Sequence, residues 1–196
     1  MADDDGEGRA LLVTMLSSLG HQIVAEVASG NDAVASAQAE TPDAVLLDVH
    51  MPDGSGIDAA KEIAAKLPGT AVLLFTGDHT LRLSDREVIE TSAITILAKP
   101  TPRKTLESAL RLAVAKAQAL NGAREAAKKA EQELENRKLI ERAKGILMRR
   151  GLTEQVAFES MRRMSQDKSM RMADVAREIL RSEPGYEERE RKPPKS

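Results

Sequence analysis

The 196 residues carry 29 Lys and Arg against 31 Asp and Glu, a net charge of −2, and 41% of them are hydrophobic with only 2% aromatic. That length allows one or two domains with cores of Ala, Leu, Val and Ile, and the lack of cysteine excludes disulfides and thiolate metal sites, as suits a reducing compartment. The acidic N-terminus lacks the basic-then-apolar order of a signal peptide, and no apolar run approaches a membrane span, so the chain reads as cytoplasmic with no membrane partner.

The charge is unevenly placed. Residues 1–100 hold 6 basic and 16 acidic side chains, net −10, whereas residues 137–181 hold 12 basic and 6 acidic, net +6. An acidic front and a basic back suggest two domains, the second a candidate for a polyanion.

In chain order, Arg9 to Leu19 has a helical apolar stripe (Leu11, Leu12, Met15, Leu16, Leu19), and Gln22 to Val27 alternates as a strand. Asn31 or Asp32 is expected to cap a second helix to about Glu40. Ala44 to Leu47 is a continuous apolar run ending on Asp48, with Pro52 and Gly56 in the loop behind it, the pattern of a buried parallel strand. A helix from about Ile57 to Lys66, a strand over 71–76, a polar, weakly helical piece over 80–90 and a strand over 94–98 follow. This alternation predicts an α/β fold with a doubly wound parallel sheet.

From Pro102 a long helix runs without a firm stop. Leu106, Leu110, Ala113, Ala117 and Leu120, then after a slip at Asn121-Gly122, Ala123, Ala127, Ala130 and Leu134, form a heptad-like seam that predicts a two-stranded coiled coil and a homodimer. Gly151 ends the helix. Thr153 caps the next one, to about Met164, and Ser169 is expected to cap a last one to about Arg181. The polar residues 182–196 read as disordered. The expected domains are thus 1–100, a helical linker 101–135, an all-α module 136–181 of three helices, and a tail.

In an open α/β sheet, chemistry sits at the carboxyl ends of the strands. Asp3-Asp4-Asp5, Asp48, Thr76 and Lys99 all fall at such ends. Clustered carboxylates repel unless something neutralises them; a hard divalent cation such as Mg²⁺ suits their oxygens, and Lys99 adds a second positive charge. A carboxylate, a cation, an ammonium and a hydroxyl make a site for phosphoryl transfer, with Asp48 as nucleophile.

On these residues the front half resembles the receiver domain of two-component response regulators, a flavodoxin-like fold. The resemblance implies Asp48 as phosphoacceptor, with Asp3, Asp4, Asp48 and the His50 backbone carbonyl as Mg²⁺ ligands. It also implies Thr76 as switch hydroxyl, Lys99-Pro100 as the Lys-Pro signature, and a sensor histidine kinase as partner. Two departures stand out. Ile96 occupies the place of the family's aromatic switch residue. The sequence shows no apolar strand before the acidic pair, so the true start is expected upstream of Met1.

Residues 134–181, with the core Ala143-Lys-Gly-Ile-Leu-Met148 and then Gly151, Ala157, Met161-Arg162, Ser165 and Asp174-Val-Ala176, resemble the ANTAR module, an RNA-binding antiterminator output. Ile140, Ala143, Leu147, Ala157, Phe158, Met161, Val175, Ala176 and Ile179 are expected to form its core. Arg137, Lys144, Arg149, Arg150, Arg162, Arg163 and Arg171 are left as candidate RNA contacts, because Phe158 and Tyr186 are too few for a stacking platform. The resemblances imply a regulatory protein, not an enzyme, that binds hairpins in a nascent leader transcript and prevents termination. A DNA-binding or protein-interaction output is the alternative.

Overall fold

The structure, a computed structural model, describes residues 1–51, 54–77 and 94–183. Pro52, the piece expected over 80–90, Tyr186 and nearly all of the tail lie outside the described residues. The chain divides into two compact units, Met1–Arg124 and Glu125–Ser196.

In the front unit β1 (Ala44–Asp48), β4 (Ala71–Thr76) and β5 (Ile94–Ala98) form a parallel sheet in the order β1-β4-β5. A short antiparallel pair, β2 (His50–Met51) with β3 (Gly54–Ser55), follows β1. Alternation along the strands loads both faces of the sheet. Val45, Leu47, Val72 and Leu74 pack with Ala33, Val34 and Ala37 of α2 (Gly30–Glu40) and with Ala59, Ala60 and Ile63 of α3 (Gly56–Lys66). Leu46, Leu73 and Phe75 pack on the other face with Leu12 and Leu16 of α1 (Gly6–Ser18). Leu106, Leu110, Ala113 and Ala117 of α4 (Arg103–Arg149) join that second layer.

That layer corrects the expected seam. Its first four positions are core residues of the front unit, because a helix lying on a sheet needs the same apolar spacing as one lying on a second helix. Ala123, Ala127, Ala130 and Leu134 are exposed, and they are the part of the seam open to a partner. The slip in spacing at Asn121-Gly122 does not interrupt the helix: α4 is continuous over 47 residues.

Residues 22–27 form no continuous strand. Ala2 makes parallel bridges to both Val27 and Leu47, donating its N–H to the Leu46 carbonyl at 2.8 Å and accepting from Asp48 at 2.9 Å. Thus Met1–Asp3 occupy the place where the sequence shows no strand, and only Val27 finds a ladder partner. Below them a cavity of about 800 Å³ opens, lined among others by Ile23, Val24, Val45, Leu46, Leu110 and Val114.

Serines cap both helices that flank β1. Ser29, rather than Asn31 or Asp32, caps α2 by accepting from the Asp32 N–H, and Ser55 caps α3 from the Ile57 N–H. In the back unit Thr153 caps α5 (Glu154–Asp167) as expected. The last helix, α6 (Met172–Arg181), has Arg171 at its N-cap position and so starts two residues later than predicted. Ser169 has φ 51°, a left-handed backbone that an N-cap does not adopt. Ala143, Ile146, Met161, Val175, Ala176, Ile179 and Leu180 form the back unit's buried core, with Ile140 and Leu147 packed at its margin. Phe158, expected in that core, is 42% exposed; Ala157 and Met161 fill the inward stripe of α5 on either side of it.

Candidate functional site

The sheet register assembles the acidic site. Ala2 hydrogen-bonds beside β1, so the next residue, Asp3, leaves the sheet at the same end as Asp48. Asp3 is fully buried, Asp48 nearly so, and Asp4 is exposed. One carboxylate oxygen from each of the three lies within 4.8 Å of the others. Asp5, the last of the acidic run, is occupied as the N-cap of α1, accepting from the Glu7 N–H at 3.1 Å.

Lys99 follows β5, and its backbone N–H donates to the Thr76 carbonyl at 2.7 Å. Its ammonium reaches Asp3 Oδ2 at 2.8 Å and Asp48 Oδ2 at 2.9 Å. Burial by itself lowers the Lys99 pKa, but the hydrogen bonds to Asp3 and Asp48 and their charges carry it above the ordinary lysine value. The lysine therefore stays charged and offsets part of the carboxylate repulsion. Thr76 is buried at the end of β4, one residue past the Phe75 that pairs with Asp48. The His50 N–H lies 3.4 Å from Asp48 Oδ1. Ile96 lies on β5 and is 36% exposed. Gly56 leaves room for this arrangement: a Cβ there would lie 1.8 Å from the Asp48 carbonyl oxygen.

The donor set fits a divalent cation of the Mg²⁺ type. It offers three converging carboxylates, two of them out of water, with a single ammonium against their three charges.

A family model of the response regulator receiver domain matches residues 1–111, more than half of the chain. The chain belongs to the response regulators. A model of the ANTAR domain matches residues 128–180 of the same regulator. The regulator is 36% identical over 185 residues to the transcriptional regulatory protein PdtaR of Mycobacterium tuberculosis H37Rv, which covers 92% of this chain and 87% of PdtaR. Its fold resembles that of the response regulator StyR, with a TM-score of 0.56, 20% identity, and coverage of 93% of this chain and 96% of StyR. The front unit is also similar to the receiver domain of the sensor histidine kinase PA1611 of Pseudomonas aeruginosa, whose structure holds a magnesium ion in its active-site cleft. There the TM-score is 0.50 and the identity 29%, over 58% of this chain and 93% of that one.

In the response regulator's ANTAR region the predicted RNA contacts divide into two groups. Lys144 lies 3.0 Å from Glu141 and 2.7 Å from Glu154. Arg150 pairs with Glu183 at 2.9 Å, with Arg149 at 3.7 Å from the same residue, and Arg171 pairs with Asp174 at 3.0 Å. Arg137, Arg162 and Arg163 are exposed and carry no ion pair among the described residues. Glu141 and Asp174 stand three residues from Lys144 and Arg171, a spacing readable in the sequence, whereas Glu154 and Glu183 are ten and more than thirty residues from their partners and carry no such signal.

The Lys144 hydrogen bond holds the Glu154 carboxyl below its usual value. A depressed carboxylate contributes stability that is present above the unfolded pKa and lost as pH falls through the folded one. Glu154→Gln is therefore expected to lower the thermal midpoint slightly at pH 7, by a margin that closes as the pH drops below about 4. A margin unchanged at acid pH would show that the ion pair is not its source. No helix among the described residues is long and apolar enough to cross a membrane.

Proposed function

We propose that this response regulator is cytoplasmic and controlled by phosphorylation, and that it binds RNA hairpins in a nascent leader transcript to prevent transcription termination. The observation that carries the first half is Asp48, set at a strand end with Lys99 at 2.9 Å and Asp3 on the lysine's other side. Asp48 attacks the phosphorus of a phosphohistidine on a sensor kinase. A P–O bond to the carboxylate forms, the P–N bond breaks, and the imidazole leaves. Lys99 neutralises the phosphoryl oxygens, and the Thr76 hydroxyl takes up one of them. Asp3, Asp4, Asp48 and the His50 carbonyl would hold Mg²⁺, which when bound supplies further neutralisation of the phosphoryl charge.

The second half is supported by the ANTAR match and by Arg137, Arg162 and Arg163, which are exposed without an ion pair among the described residues. Dimerisation through the exposed Ala123, Ala127, Ala130 and Leu134 would place two modules on paired hairpins and raise their effective concentration. We read residues 1–100 as the signal-receiving part, 101–135 as the connecting helix and 136–181 as the output. The test compares the full chain on stem-loop RNA and on duplex DNA of equal length at several salt concentrations. RNA is expected to bind more tightly, with affinity falling steeply as salt rises. Tighter binding to DNA would reassign the output, and no salt-sensitive binding to either would leave a protein partner.

A further inference from the structure

We propose that Phe158 and Arg162 form a clamp for one unpaired base of an RNA loop, the ring stacking on the base and the guanidinium holding an adjoining phosphate. The clamp rests on the RNA-binding reading and adds the element that distinguishes a loop from a regular stem.

Phe158 is the one aromatic residue among the described residues of the back unit, and it is 42% exposed. A single exposed apolar side chain is ordinary; what singles this one out is its company. Arg162 stands one turn further along α5, four residues on, where helix geometry makes the two side chains neighbours. It is exposed and has no ion pair or hydrogen bond among the described residues. Its neighbour Arg163 is likewise exposed without an ion pair among the described residues, whereas many other cations of the back unit are tied. Lys138 pairs with Glu135, Lys144 with Glu141 and Glu154, Arg150 with Glu183, Lys168 with Glu178, and Arg171 and Arg177 with Asp174. The nearest carboxylate in sequence, Glu159, accepts from the Gln155 side-chain amide at 3.3 Å. Hence α5 presents an aromatic face and an uncommitted guanidinium side by side, on the unit that carries the chain's positive charge.

Of the partners a basic surface attracts, a nucleic acid with unstacked bases matches this pair best. A double-stranded stem offers phosphates but no free base face, whereas loop bases splay outward and stack on aromatic rings and guanidinium planes. Stacking on one aromatic is worth roughly five- to a hundredfold in affinity.

The experiment uses the full chain and a pool of stem-loop RNAs with randomised loops on a fixed stem, enriched on the wild-type protein. A blunt duplex of the same stem and the same number of phosphates serves as comparison. Phe158→Leu is expected to weaken binding to the enriched stem-loop by roughly five- to a hundredfold. It should leave duplex binding and the salt slope unchanged. Arg162→Gln should weaken both and reduce the salt slope by about one. The chain contains no tryptophan, so Phe158→Trp introduces a single reporter whose fluorescence is expected to quench with the stem-loop and not with the duplex. Unchanged thermal midpoints check that the variants are folded. If Phe158→Leu binds the stem-loop as the wild type does, or the tryptophan is quenched equally by the duplex, the clamp is wrong while RNA binding stands. If no stem-loop enriches on the wild type, both fall together.

Discussion

Asp48→Asn is expected to take up no phosphoryl group from acetyl phosphate and Mg²⁺ under conditions where the wild type forms a detectable adduct. The substitution keeps the shape of the side chain and removes the nucleophilic oxygen pair, so its effect is on chemistry and not on packing. Losing one of three converging carboxylates also relieves repulsion in a site where a single ammonium faces all three. The variant should therefore unfold at the same temperature as the wild type or a higher one. Asp58→Asn, at an exposed carboxylate on α3 that is not one of the three clustered ones, should label normally. Intact-mass spectrometry decides between the outcomes, and an adduct retained in Asp48→Asn would move the acceptor elsewhere.

The largest loss of stability is expected from Gly56→Ala. A Cβ at position 56 would stand 1.8 Å from the Asp48 carbonyl oxygen, 2.8 Å from its carbon and 3.1 Å from the Val49 Cα. All three are backbone atoms, held in place by the β1–β4 ladder and by the Gly56 N–H donating to the Val49 carbonyl. No side-chain rotation relieves such a contact, so either β1 or the start of α3 has to move. A loss of about 3 kcal/mol or more follows, read as a lower urea midpoint of the receiver, and the displaced Asp48 should label poorly as well. Gly122→Ala is the matched control. It lies inside α4 with open space around it, and removing a helical glycine should stabilise by about 0.5–1 kcal/mol.

Much of the receiver was legible because its strands are continuous apolar runs bounded by turn residues. The strands over 71–76 and 94–98 have the bounds expected, and Asp48 ends β1 as read. The site was legible for the same reason: parallel strands share one carboxyl edge, so residues at successive strand ends converge whatever their separation in sequence. What remained hidden depends on contacts between elements. The spacing of Leu106, Leu110, Ala113 and Ala117 serves a sheet as well as a second helix, and only the fold shows that the sheet has taken it. Phe158 lies beside the apolar stripe of α5, and whether it turns inward depends on how much of the core Met161, Ile146 and Leu180 already fill. Ser169 has the composition of a cap and the backbone of a turn. Of the two partners of Lys144, Glu141 lies three residues away on the same helix and was legible, whereas Glu154 lies across a helix break and was not.

The proposed phosphoryl site and the proposed RNA-binding surface belong to one account only if the first governs the second. The direct measurement is the affinity of the full chain for an enriched stem-loop RNA before and after phosphorylation, with Asp48→Asn treated identically. Phosphorylation is expected to tighten wild-type binding by roughly tenfold or more through dimerisation, with the variant staying at the unphosphorylated value. Equal affinities for the two forms of the wild type, at full incorporation, would contradict it.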